Sequence, residues 1–241
     1  MVEQLAMDFI VETESLAELI RKSQVVSIAQ GEKLGVGEGY LKEKDMNWVI
    51  TKFHIEMYAY PSPGDAITIR TKPIGFSKLT ADRLFEFYHS NGEAAGIAYT
   101  QWAVIDSVKR RLKPIEKNYG SYYGIDRQES RRMQYKKIEK LEEAKHQTER
   151  IVVKQDIDSN DHVNNTRYLD YFYQSLQEFE SLEWERLSTL EIAFKKEARL
   201  GDRIFIKHQD GNETDTEKVH RIHQIEGESG EILVQIESFW N

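Results

Sequence analysis

The chain has 241 residues, 39% of them hydrophobic, no cysteine and a formal net charge of −8. That length suits one large domain or two of about 120 residues, and the acidic balance argues against general nucleic-acid binding, which needs a basic face. The missing cysteines exclude disulfides, a thiolate nucleophile and cysteine-ligated zinc.

No apolar run approaches the roughly 20 residues of a spanning helix. Residues 1–10 are acidic, without the basic-then-apolar order of a signal peptide or the Arg- and Ser-rich look of a transit peptide. These features point to a cytoplasmic protein without a membrane or nucleic-acid partner.

In chain order, residues 15 to about 30 carry a helical pattern with Leu16, Leu19, Ile20 and Ile28 on its buried side. Strands are expected over 48–58, 66–71, 80–89 and 96–106. Residues 116–147 then read as a linker, charged and Tyr/Gly-rich at first and helical over 131–145. A second helix is expected over about 164–179, with Tyr168, Leu169, Phe172 and Leu176 on one face, followed by strands over 189–194, 203–208, 218–225 and 231–239.

The two series share landmarks. Gly64-Asp65 recurs as Gly201-Asp202, 137 residues on; Gly92 recurs as Gly230 and Trp102 as Trp240, each 138 on. Gly-Asp and Asn-Gly are ordinary turn signals singly, but three landmarks on one offset define an internal repeat. Each half is thus one long helix followed by an antiparallel sheet whose apolar face only that helix is large enough to cover. This predicts an α+β chain of two tandem hotdogs, residues 1–115 and 148–241, joined by the 116–147 linker.

The halves differ where the second helix begins. Asp158, Asn160 and His162 alternate, so an extended segment would point all three the same way. Asn164 or Asn165 suits the helix cap. Convergent polar groups beside the free N–H groups of a helix start favour a reaction that develops negative charge on a carbonyl oxygen. The approach to the first helix, residues 8–14, has no Asn or His. Glu197, just ahead of the Gly201-Asp202 turn, is a further candidate if its strand lies beside the helix. His220 and His223, three apart on a strand, face opposite ways and read as structural, so no metal site is expected.

The run Asp158-Ser-Asn-Asp-His-Val-Asn-Asn165 with Tyr168 resembles the Asp-x-Asn-x-His-Val-Asn-Asn-x-x-Tyr signature of acyl-acyl carrier protein (ACP) thioesterases. Asn47-Trp-Val-Ile, Tyr60-Pro-Ser-Pro-Gly-Asp65 and Gly75-Phe-Ser-Lys78 are similar to first-half segments of that family. The resemblance implies catalytic roles for Asp158, Asn160, His162 and Glu197, and no cofactor. Plant members often carry cysteine after the glutamate, where this chain has Ala198, which favours carboxylate or water chemistry.

It further implies an acyl pocket in the first half, with Trp48, Ile50 and Phe53 as candidate lining, and substrate contacts from Asn164, Asn165 and Tyr168. An acidic ACP partner would dock on Lys109, Arg110, Arg111, Arg131, Arg132, Lys136 and Lys137. An acyl-CoA thioesterase of the same fold and a non-catalytic acyl-binding protein are the alternatives. The duplication supplies internally the pairing a single hotdog takes from a second subunit, so a monomer or homodimer is expected.

Overall fold

The computed structural model describes residues 2–126, 130–158, 161–212 and 218–241. The chain divides into two compact units, Met1–Glu14 with Glu18–Tyr135, and Ser15–Ala17 with Lys136–Asn241. The first is built from β1 (Leu5–Ile10), α1 (Leu16–Lys33), α2 (Glu38–Glu43), β2 (Met46–Met57), β3 (Ala66–Phe76), β4 (Thr80–His89), β5 (Ala94–Asp106) and the short β6 (Leu112–Lys113). The second follows with β7 (His146–Ile151), α3 (Asn165–Gln177), β8 (Leu187–Phe194), β9 (Arg203–Asp210), β10 (Val219–Gly227) and β11 (Ile232–Trp240). No helix among the described residues is long and apolar enough to cross a membrane.

The first sheet runs β1-β3-β4-β5-β2, with β6 on β5; the second runs β7-β9-β10-β11-β8. The order is the same in both copies, and every pairing described within them is antiparallel. The repeat extends to single hydrogen bonds. Ser62 N–H reaches the Asp65 carboxylate at 2.9 Å and Gly64 N–H reaches Val11 O at 2.8 Å; Arg199 N–H reaches the Asp202 carboxylate at 2.8 Å and Gly201 N–H reaches Val152 O at 2.9 Å. Both glycines hold left-handed φ values, 95° and 86°, which only glycine adopts without cost. Trp102 Nε1 donates to Thr100 Oγ1 at 2.7 Å, and Trp240 Nε1 to Ser238 Oγ at 2.9 Å.

Helix α3 covers its sheet with the predicted stripe. Tyr168, Leu169, Phe172 and Leu176 are all buried, each worth roughly 1.5–3 kcal/mol of transfer free energy. Phe172 meets His223 and Trp240, and Tyr168 meets Phe194, so one face touches β8, β10 and β11. On α1 the buried face carries Leu16, Leu19, Ile20, Ser23, Val26 and Gln30. Ile28, expected on that face, is 63% exposed. The stripe advances through Ser23 and Gln30, so polar residues occupy inward positions that an apolar count passes over.

The expected helix over 131–145 is absent; a 3-10 turn at Tyr119–Tyr123 is the helical piece described in the connecting segment. The N–H groups of Glu139, Glu142, Glu143 and Lys145 go instead to Glu237 Oε2, Gln209 Oε1 (twice) and His208 O. Acceptors on the second sheet therefore replace the i−4 carbonyls a helix would have used.

Both interiors are partly polar. In the second unit, Thr148, Ser175, His208, His223, Ser238 and Trp240 form one chain of hydrogen bonds, with links of 2.6, 2.6, 2.7, 2.7 and 2.9 Å. In the first, the buried Arg83 guanidinium donates to Gln30 Oε1 at 2.6 Å and Thr71 Oγ1 at 3.1 Å and lies over the Tyr123 ring. Among the described residues no ion pair involves Arg83, and burial lowers its pKa.

Candidate active site

The segment leading into α3 does not stay extended. Ile157 and Val163 form an antiparallel bridge, Asp158 N–H donates to His162 O at 2.9 Å, and Asp161 N–H donates to Asp158 O at 3.2 Å. Asp161 takes the left-handed φ of 62° that closes the turn, a conformation Asp tolerates better than most residues. Asp158 and His162 are thus neighbours across a tight reversal, and strand alternation is not what pairs them. The polar side chains that suggested alternation are also the residues that favour turns. Asn160 lies outside the described residues.

Glu197 is brought to this turn by the irregular segment that follows β8. Its Oε2 lies 3.2 Å from His162 Nε2. The His162 side chain is 11% exposed and that of Glu197 is 43% exposed, so the pair has an inner and an outer member. Ala198, which follows Glu197, is held on both sides: its carbonyl accepts from Val163 N–H at 3.0 Å, and its N–H donates to the Tyr168 hydroxyl oxygen at 2.9 Å.

Asn164 is the helix cap. Its Oδ1 accepts from Thr166 N–H at 2.9 Å and from Thr166 Oγ1 at 2.8 Å, the usual arrangement for an Asn cap. Its own N–H goes to Asp156 O and its carbonyl accepts from Arg167 N–H. Asn165 N–H has no partner among the described residues, which leaves a donor with positive character at the start of the helix.

Asp156 and Arg167, which sequence reasoning did not single out, lock this geometry. Buried Asp156 accepts from Val153 N–H at 2.9 Å and from Arg167 Nε at 2.8 Å, and forms an ion pair with Arg167 Nη2 at 2.7 Å. Burial opposes the charge on Asp156, but the nearby Tyr171 hydroxyl and the bonds from Val153 and Arg167 outweigh it and lower the pKa. Residues eleven apart across a turn and a cap leave no periodic signal. Among the described residues no group of three or more His, Cys, Asp or Glu is placed to hold a metal ion.

The other candidates lie apart in the sequence and in role. In the first unit Ile50 and Phe53 are buried, and Trp48 packs on Tyr119 with ring centroids 5.5 Å apart. Lys109, Arg110 and Arg111 are exposed on the turn between β5 and β6, where Asp106 Oδ1 accepts the Val108 and Lys109 N–H groups. Arg131 and Arg132 are exposed, with Arg131 N–H on Ile74 O. In the second unit Lys137 is exposed, whereas Lys136 pairs with buried Glu237 at 3.0 Å and covers the Phe239 ring. His220 contacts Glu237 and stacks on Phe239, and His223 belongs to the interior chain.

A solved oleoyl thioesterase (putative) from Lactobacillus plantarum superposes with a TM-score of 0.89 at 19% identity, covering 100% of this chain and 96% of that one. The 12:0-ACP thioesterase from Umbellularia californica superposes at 0.84 and 18% identity, covering 99% and 94%. These likenesses establish the hotdog fold. The Arabidopsis thaliana chloroplastic oleoyl-acyl carrier protein thioesterase 1 is 26% identical over 174 residues, 67% of this chain and 48% of that protein. The chain therefore spans about half the length of the curated relatives it matches. Residues 6–123 match the acyl-ACP thioesterase N-terminal domain and residues 138–241 match its C-terminal domain; the chain belongs to the acyl-ACP thioesterase family.

Proposed function

We propose that the protein hydrolyses fatty acyl-ACP thioesters to the free fatty acid and holo-ACP, ending chain elongation. The observation that carries this reading is the His162–Glu197 pair beside the capped start of α3. Glu197 is the outer, solvent-facing member, so it is the carboxylate that can take a proton from an attacking water. His162, the inner member, holds that carboxylate through Nε2. As the water oxygen adds to the thioester carbon, negative charge develops on the carbonyl oxygen, and Asn165 N–H at the helix start stabilises it. Collapse breaks the C–S bond, the proton held by Glu197 passes to the leaving sulfur, and holo-ACP departs. Asp158 fixes the turn that presents His162, and Asn160 completes the set that the family resemblance implies.

In this reading the acyl chain lies against the first unit near Trp48, Ile50 and Phe53. The exposed basic residues Lys109, Arg110, Arg111, Arg131, Arg132 and Lys137 meet acidic ACP, while Lys136 is committed to Glu237. The decisive experiment measures thiol release from one acyl chain carried on ACP and on CoA. Hydrolysis with the higher kcat/KM on ACP is expected, and Glu197→Gln should lower kcat by about 100-fold or more. A folded Glu197→Gln variant with near-normal kcat would refute the mechanism, and a preference for CoA would refute the substrate.

A further inference from the structure

We infer that Tyr168 is a positioning residue that holds Glu197 against His162, and that its hydroxyl does not contact the substrate. This rests on the thioesterase reading above. Residues 195–200 form neither helix nor strand, so nothing regular fixes a carboxylate placed there. Three sets of bonds do so instead. The N–H groups of Lys195 and Lys196 both donate to Leu233 O, at 2.8 and 3.2 Å, and Arg199 N–H donates to the Asp202 carboxylate at 2.8 Å.

Between these anchors lies the peptide joining Glu197 to Ala198. Its N–H meets the Tyr168 hydroxyl at 2.9 Å, and the next carbonyl meets Val163 N–H at 3.0 Å. The Tyr168 bond therefore fixes the peptide that joins Glu197 to Ala198, and the Val163 bond fixes the following one and ties Ala198 to the turn presenting His162.

The phenol is suited to this task and poorly placed for a ligand. Tyr168 is 2% exposed, with ring centroids 6.1 Å from Phe194 and 6.2 Å from Tyr171. Burial, with the nearby Glu197 and Asp202 charges, raises its pKa, although the Ala198 bond acts the other way. The group stays a neutral hydroxyl whose oxygen accepts the amide. Tyr168 sits one turn after the Asn164 cap, so the element that supplies Asn165 N–H also sets the reach of Glu197. General base and oxyanion donor are thereby referenced to one rigid helix, as preorganisation of a reacting pair requires.

The test is Tyr168→Phe, which removes the hydroxyl and keeps the ring. The variant should lose about 10- to 100-fold in kcat on acyl-ACP, the scale set by a roughly 1 Å misplacement of a reacting group, with KM within about twofold. Ring ¹⁵N chemical shifts of His162 should move toward those of Glu197→Gln, a readout that loss of stability in a still-folded protein does not produce. Unchanged kcat, or lowered kcat with unchanged His162 shifts, would overturn the inference. If the variant does not fold, hydrogen exchange of the Ala198 amide in the wild type decides: slow exchange supports the clamp and rapid exchange overturns it. A wild type that does not hydrolyse acyl-ACP would defeat the functional reading alone, since the His162 shifts and the amide exchange still judge the clamp.

Discussion

The interior histidine chain makes the second unit acid-labile in a pH window of its own. His208 and His223 are both about 1% exposed, and their Nδ1 atoms lie 2.7 Å apart, so a single proton bridges two neutral rings. Burial lowers the His208 pKa to about 3, with the His146 charge adding to the effect. Burial lowers that of His223 well below 6.5, helped by His208, Arg221 and His220. The unfolded chain thus binds protons that the folded chain refuses. Stability is complete above pH 6.5, is lost as pH falls through that value, and continues to fall toward the folded pKa. From pH 7 to pH 5 the loss is about 2 kcal/mol for His208 and up to about 4 kcal/mol if both rings respond independently. Asp156 and Asp210, whose pKa values are lowered, contribute their own loss only below the normal carboxylate range. Urea unfolding followed by the fluorescence of Trp184 and Trp240 at pH 7.5, 6.5, 5.5 and 5.0 measures the slope. The repeat supplies the control: 137 and 138 residues earlier the equivalents are Thr71 and Phe85, so His208→Thr with His223→Phe should flatten the dependence between pH 6.5 and 5. An equal slope in wild type and double variant would refute the reasoning.

Two further outcomes follow from packing in the first unit. Gln30→Leu strips Arg83 of its carbonyl acceptor and should cost about 3 kcal/mol or more, whereas adding Arg83→Leu should recover most of the loss, because removing a buried charge with its partner is often near neutral; a double-mutant cycle in urea measures the difference. Gly75→Ala would place a methyl carbon 1.8 Å from Arg131 O, so the connecting segment must shift, and Tm should fall by an amount equivalent to about 1–3 kcal/mol.

What the sequence revealed, and what it withheld, follows from the range of the interactions. The Gly-Asp and Asn-Gly/Ser-Gly turns are set by local backbone chemistry, and they marked the repeat. The α3 stripe was legible because four large apolar side chains share one face. β1 and β7 were missed because, as half-exposed edge strands, they alternate weakly: Ile10 and Ile151 at their ends are exposed. The helix expected over 131–145 failed because the chain's N–H groups found acceptors on Gln209, Glu237 and His208, which nothing in the local sequence announces. Glu197 stands 35 residues from His162, so spacing alone nominated it and only the family resemblance gave it a role.

The same limit explains the interiors. The repeat aligns Thr71 with His208, Phe85 with His223 and Thr100 with Ser238, yet composition gives no sign that these positions meet inside each sheet. In the first copy the helix reaches the sheet through Gln30 and a buried cation. In the second copy Ser175 of α3 bonds directly to His208, and the chain continues through neutral groups to β11. A neutral chain avoids the desolvation cost that Arg83 imposes, and Ser175 lies two turns beyond Tyr168 on α3. The helix that carries the cap, Asn165 N–H and the Tyr168 clamp is therefore fastened at both ends: to Asp156 and Ala198 where chemistry is proposed, and to His208 at the other. Opening of the far end of α3, which exposes His208 to protonation at its ordinary pKa of 6.5, should therefore become easier as pH falls from 6.5 to 5, and amide exchange near Ser175 should rise over that range before exchange at the capped end does.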